Sequence, residues 1–211
     1  MVTPANADAV RALDAWPSWH GGCLTLVGPA GSGKSHLALT WAARAGAAIL
    51  KAGASPSAID LDRLAGRPVL VEDADTAADG SAGDEALFHL INMAGAPGGG
   101  LLLTARAPPS AWPAALPDLR SRLNALPVAE LPAPDDAILT ATLSKFFRER
   151  NIKPGDDLIP YLLRRIERSI PRALEVVVLL DERADAEQRP ISRALARQIL
   201  ENEEAGPDLF D

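Results

Sequence analysis

Cysteine is nearly absent from the 211 residues: Cys23 is the only one, so no internal disulfide can form, and a reducing compartment suits the chain. It stands in the apolar run CLTLVG and reads as a buried strand residue rather than a catalytic thiol. Histidine is scarce too, and neither His36 nor His89 has the partner spacing of a metal site. Aromatic residues make up 4% of the chain; Trp16, Trp19, Trp41 and Trp112 read as packing residues, with no aromatic ladder for bases. Basic surplus is also missing. Lysine and arginine number 21 against 28 acidic residues, a net charge of −7, which argues against strong direct DNA binding. The densest basic run, YLLRRIER, interleaves Arg164, Arg165 and Arg168 with Glu167 and reads as a solvated helix face in preference to a phosphate-binding patch. No stretch approaches the roughly 18 apolar residues of a membrane span, and no basic-plus-apolar leader opens the chain. The expectation is a cytoplasmic protein with no membrane partner.

What is present is concentrated. Hydrophobic residues reach 47%, enough for one sizeable core or a core with a small satellite. The most informative stretch is CLTLVGPAGSGKSHLALTWAARAG. A β-rich run, Leu24 to Val27, meets Gly28-Pro29-Ala30-Gly31-Ser32-Gly33-Lys34-Ser35, and a helical pattern follows. This is G-x-x-x-x-G-K-[ST] between a strand and a helix, the context the motif requires. Its glycines let backbone N–H groups turn inward around phosphate oxygens, and the helix start adds partial positive charge. Lys34 is the candidate for the β- and γ-phosphates and Ser35 for Mg²⁺. His36, next in line, is counted with the loop as a candidate binding position. The ligand class is a nucleoside phosphate.

A phosphate loop needs an acid at the tip of a neighbouring strand. GRPVLVEDADT offers Val69 to Val71 followed by Glu72-Asp73. In one register Glu72 serves the metal and Asp73 polarises the attacking water. In the other Asp73 is the metal acid and Ala74 stands where a base should be, which would give a binder that hardly turns over. Asp75 and Asp79 read as loop solvation. In GGGLLLTARAPP a third strand runs Leu101 to Leu103, with Thr104 at its tip as a candidate γ-phosphate sensor and Arg106 a weaker one. Helices are expected over residues 35–45, within SPSAIDLDRLAG (Ser55 or Ser57 as N-cap), and within GDEALFHLINMAGA, with Leu87, Leu90 and Ile91 inward. An N-terminal helix is expected with its cap near Asn6.

After LPVAELPAPDDAIL the pattern turns to helices alone, with Asp135 and Asp156 or Asp157 as caps. Strand–helix alternation followed by an all-helical tail predicts an α/β core over residues 1–130 and a helical lid over 131–211. In the lid, ERSIPRALEVV puts Arg172 at a helix start, able either to sense a nucleotide's γ-phosphate or to pair locally with Glu175.

With the phosphate loop, the ordered run VLVEDAD, EALFHLIN, LLLTARAPP, LPDLRSRL and RSIPRALE resembles the AAA+ ATPases of the DnaA clade, and within it the Hda-type regulatory inactivators of DnaA. The resemblance implies a P-loop AAA+ core with a parallel sheet between helices, a small helical lid and bound ADP or ATP with Mg²⁺. It implies that Arg122 is an arginine finger acting in trans on ATP held by DnaA, and that Arg172 is the lid sensor. The implied partners are DnaA, the DNA polymerase sliding clamp and a second copy of the chain; intrinsic ATPase would be weak. The clade's DNA-reading domain has no counterpart in this sequence. Arg106 stands where the clade has an aspartate. MVTPANADAV holds no clamp-docking peptide, and GPDLFD offers Leu209-Phe210 without the glutamine. Arg120 is expected to pair with Asp118, and Val2 and Pro4 are weak candidates beside the adenine. The competing reading is an independent AAA+ ATPase or loader that remodels a partner with its own ATP.

Overall fold

The structure, a computed structural model, describes residues 2–51, 61–76 and 81–205. Short Leu/Val runs form a parallel sheet of five strands: β1 (Cys23–Val27), β2 (Ala48–Lys51), β3 (Pro68–Glu72), β4 (Gly100–Ala105) and β5 (Val128–Glu130), in the order β2-β3-β4-β1-β5. The register is fixed by pairs such as Leu26 with Thr104, Leu70 with Leu102 and Leu26 with Ala129. β1 and β4 are buried along their whole length, which is why their sequences are continuously apolar rather than alternating.

Strand parity divides the core into two faces. Leu24, Leu26, Leu70 and Leu102 pack on one side with Ala9 and Leu13 of α1 (Ala7–Asp14) and Ala38, Trp41 and Ala42 of α2 (Lys34–Ala45). Val69, Val71, Leu101 and Leu103 pack on the other with Leu87, Leu90 and Ile91 of α4 (Ser81–Ala94) and Leu119 and Leu123 of α5 (Pro117–Ala125). The tryptophans are packing residues: Trp16 meets Trp41 edge-on at 5.9 Å and Trp19 stacks on it at 5.1 Å. A short helix, α3 (Leu61–Leu64), precedes β3; the candidate caps Ser55 and Ser57 lie outside the described residues.

The chain divides into two compact units, Val2–Pro132 and Ala133–Asp211. The second contains α6 (Asp136–Glu149), α7 (Leu158–Leu162), α8 (Ile170–Glu187) and α9 (Arg193–Ala205), with its own core around Leu139, Leu143, Phe147, Val177 and Leu195. Asp135 caps α6 by accepting from Ile138 N–H at 2.8 Å, and Ser169 caps α8 by accepting from Arg172 N–H at 3.2 Å.

Three details differ from the expectations. β4 runs through Thr104 to Ala105, so Thr104 is an internal, buried strand residue and not the strand's end. β2 and β5 were not anticipated. Asn6 stands at the N-cap position of α1 as expected, but its side chain makes no cap bond; Oδ1 accepts from Thr3 N–H at 2.7 Å.

Candidate functional site

β1 delivers the chain to Gly28 at the edge of the sheet's C-terminal end, and α2 leaves from Gly33. Gly31 and Gly33 take φ of 72° and 100°, conformations that side chains resist. Gly28 has another reason: a Cβ there would fall 2.0 Å from the Leu131 carbonyl oxygen. Among the described residues, the N–H groups of Gly31, Gly33, Lys34 and Ser35 have no acceptor. The Ser32 hydroxyl is buried without a partner. Lys34 Nζ folds over the loop and donates to the Gly28 and Pro29 carbonyls at 2.7 and 2.8 Å. Burial pulls its pKa down, Asp73 and Asp75 oppose that, and Arg106 adds to it. Unpaired N–H groups, an orphaned hydroxyl and one lysine are a donor set for a polyanion, and the residues fit a nucleotide's phosphates. Ser35 and His36 are exposed beside them, as are Pro29 and Ala30.

The acids do not act alike. Glu72 is half-buried and in phase with Leu70, so it projects on the α2 side of the sheet, the side Thr104 shares with Leu102. Asp73 turns out of the strand at φ 52°, a left-handed conformation that aspartate tolerates better than most residues. Its N–H donates to Thr104 Oγ1 at 3.0 Å, and its carbonyl accepts from Thr76 N–H and Oγ1. Of the two, Asp73 is the acid whose charge bears on Lys34. Asp75 is more than loop solvation: Oδ2 accepts from Arg106 N–H at 2.9 Å and Ala107 N–H at 3.4 Å, tying the end of β4 to the turn after β3. Asp79 lies outside the described residues.

The arginines of LPDLRSRL separate cleanly. Arg120 does not pair with Asp118; it donates to the Trp112 and Ala114 carbonyls at 3.0 and 3.2 Å and closes the loop before α5. Arg122 is exposed and has no hydrogen bond or ion pair among the described residues. Its charge is felt at Cys23, the first residue of β1, whose thiol burial pushes up to about 11 against Arg122's opposing pull. Arg122 is in the last turn of α5, just before β5 enters the sheet where Pro127 O accepts from Thr25 N–H, so it lies toward the N-terminal pole of the parallel strands, and Lys34 lies beyond their C-terminal pole. Beside that N-terminal pole a cavity of about 630 Å³ opens among Trp16, Trp19, Gly22, Ala96 and Pro97.

In the helical unit Arg172 is held locally. It donates to Glu203 at 2.6 and 3.2 Å and to Glu175 at 2.8 Å, contacts that raise its pKa above the ordinary arginine range. Glu203, thirty-one residues away, gave no sign in sequence. Asp84 did: it is in phase with Leu87 and Ile91 on an apolar face. It is almost fully buried and accepts from Ala115 N–H at 2.7 Å and Leu116 N–H at 3.3 Å. Val2 and Pro4 are exposed, and GPDLFD lies outside the described residues. No group of His, Cys, Asp and Glu able to hold a metal by itself occurs among the described residues, and no described helix is long and apolar enough to cross a membrane.

No family model matches the chain. A curated relative, the chromosomal replication initiator protein DnaA of Thermomicrobium roseum, is 28% identical over 140 residues, which are 65% of this chain and 30% of that protein. The chain thus aligns with under a third of the relative's length. Domain III of the Thermotoga maritima replication initiation protein DnaA superposes with a TM-score of 0.78 at 16% identity, covering 98% of this chain and 95% of the domain. AMPPCP-bound DnaA from Aquifex aeolicus gives 0.68 at 18% identity, over 90% of this chain and 66% of that one. A Thermotoga maritima RuvB variant gives 0.69 at 15%, over 93% and 68% respectively. The fold is like that of DnaA domain III, an α/β core with a parallel sheet followed by a helical part.

Proposed function

We propose that the chain binds ADP or ATP at Gly28–Ser35 and regulates replication initiation by docking on ATP-bound DnaA, where Arg122 promotes hydrolysis in trans. The observation that carries this reading is the separation of Arg122 from Lys34. An exposed, unpaired arginine at one pole of the strands is poorly placed to serve a phosphate loop at the other, and well placed to serve a neighbour's. An arginine supplied across a boundary offsets charge on the transferring phosphoryl group and raises rates by about 10³–10⁵. AMPPCP in the DnaA neighbour supports the nucleotide assignment.

On this reading the loop's free N–H groups and Lys34 bind the phosphates, with Ser35 and Glu72 holding Mg²⁺, which when bound offsets phosphate charge. Thr104 fixes Asp73 and reports on the γ-phosphate position, and Arg172 responds from the lid once it leaves Glu203. The chain's own nucleotide is then mainly a conformational ligand, biasing states only by differential affinity. The sliding clamp, through Leu209-Phe210, and a second copy are further partners on this reading.

The test measures phosphate release from ATP-loaded DnaA with clamp and DNA present. Stimulation by the wild type and its loss with Arg122→Ala, at unchanged nucleotide affinity, is the expected result; Lys34→Ala should lose nucleotide binding first. Stimulation that survives Arg122→Ala overturns the proposal. A second reading, an independent ATPase, draws on Asp73, whose charge acts on Lys34. It requires rapid turnover by the isolated chain that Asp73→Asn abolishes.

A further inference from the structure

The arginines of YLLRRIER do not form a uniform solvated face. Arg168 is paired with Asp136 at 2.6 Å. Arg165, just after α7, instead stacks over the ring of Tyr161, its guanidinium carbon 5.7 Å from the ring centroid. Arg193, from the start of α9, stacks on the same ring at 5.1 Å. Tyr161 is buried, so the ring is a fixed platform. Both arginines are exposed, and neither has a hydrogen bond or ion pair among the described residues. Arg148 and Arg164 share that state among the described residues, whereas Arg150, Arg168, Arg172, Arg183, Arg189 and Arg197 each have a carboxylate partner.

We propose that Tyr161, Arg165 and Arg193 form a binding site for a phosphate monoester. A guanidinium stacked on an aromatic face keeps its in-plane N–H donors free, and the ring fixes their orientation before any ligand arrives. Arg193 is also the first residue of a 13-residue helix, where a cation is opposed by the helix dipole. Arg165 brings a second like charge to the same ring. Without a ligand the arrangement is electrostatically unfavourable, and a bound anion reverses the sign of both effects. Ser192 Oγ accepts from Leu195 N–H at 3.3 Å, which leaves the N–H groups of Arg193 and Ala194 without an acceptor among the described residues. Two planar forks and two backbone donors exceed what the two oxygens of a carboxylate take up. They suit a phosphate monoester, with three terminal oxygens and a charge of about −1.5 to −2. Glu201, farther along α9, is engaged by Arg197 at 2.7 Å. The ligand is either a small free phosphate or a phosphorylated side chain of a partner.

The test uses full-length Lys34→Ala, so that the phosphate loop does not contribute and the outcome is independent of the function proposed above. Inorganic phosphate, a short phosphoserine peptide and the same peptide with glutamate are titrated separately while arginine side-chain N–H signals are followed by NMR. Saturable shifts of Arg165 and Arg193 with a phosphate probe are expected, with affinity reduced about tenfold or more by Arg193→Gln or Arg165→Gln. Tyr161→Phe should bind as before, because it keeps the ring. Tighter binding of the phosphopeptide than of phosphate identifies a partner's side chain as the source; equal binding identifies a free phosphate. Shifts absent with both phosphate probes overturn the proposal. So does glutamate-peptide binding as tight as phosphopeptide binding, or unchanged affinity in folded Arg193→Gln and Arg165→Gln.

Discussion

Arg120 and Arg122 are two residues apart on one helix, and only one of them is committed to the fold. Arg120 holds two carbonyls of the preceding loop, while Arg122 has its donors free at the strand N-termini. Sequence supplied the pair but not the division of labour, because Arg120's partners belong to an irregular loop with no periodic signal. The phosphate loop was legible for the opposite reason: its donors are consecutive, and its flanks announce themselves within ten residues on either side. Asp75 was misread since its partners lie thirty-one residues on, at Arg106. Cys23 gives a residue-scale test. Its folded pKa is about 11 against an ordinary 9.0, so on raising pH the unfolded chain loses its thiol proton first. The stabilising difference is complete below pH 9 and is lost as pH rises toward 11. Urea unfolding from pH 8 to 11 should show a fall in stability that is shallower in Cys23→Ala; identical slopes would contradict the assignment.

At the scale of elements, α5 begins without a side-chain cap of its own. The acceptor comes from α4: Asp84 takes the N–H groups of Ala115 and Leu116 just ahead of the helix. Asp84→Ala leaves those donors without their partner and should cost about 1.5–3 kcal/mol, with faster hydrogen exchange at Ala115 and Leu116. Exchange unchanged at both amides would show that the clamp is not holding. The strands that escaped sequence reading are the two at the sheet's edges. β2 is four residues long and β5 three, and β5 has only Ala129 buried between exposed neighbours. Such segments owe their structure to pairing with β3 and β1, and pairing is not written in a local pattern. The central strands, apolar throughout, needed no such help.

For the whole molecule, the two units have cores with no residue in common. Phe147 is fully buried in the helical one, and Phe147→Ala should destabilise that unit by about 3–5 kcal/mol. In calorimetry the loss should fall on one transition while nucleotide-linked stabilisation of the other remains; uniform weakening of a single transition would show that the units melt together.

The separation of Arg122 from Lys34 gives the molecule a direction. β1 runs from Cys23, beside the arginine, to Val27, where the phosphate loop begins, like an arrow with a plug at its tail and a socket at its head. A two-fold axis can seat plug in socket only reciprocally, with two molecules antiparallel and both ends used at once. A contact that seats a single pair is head to tail, and it leaves a free plug at one end and a free socket at the other unless the line closes on itself. On the function proposed above, the position a molecule takes in a mixed row with DnaA decides whether it gives an arginine, receives one, or does both.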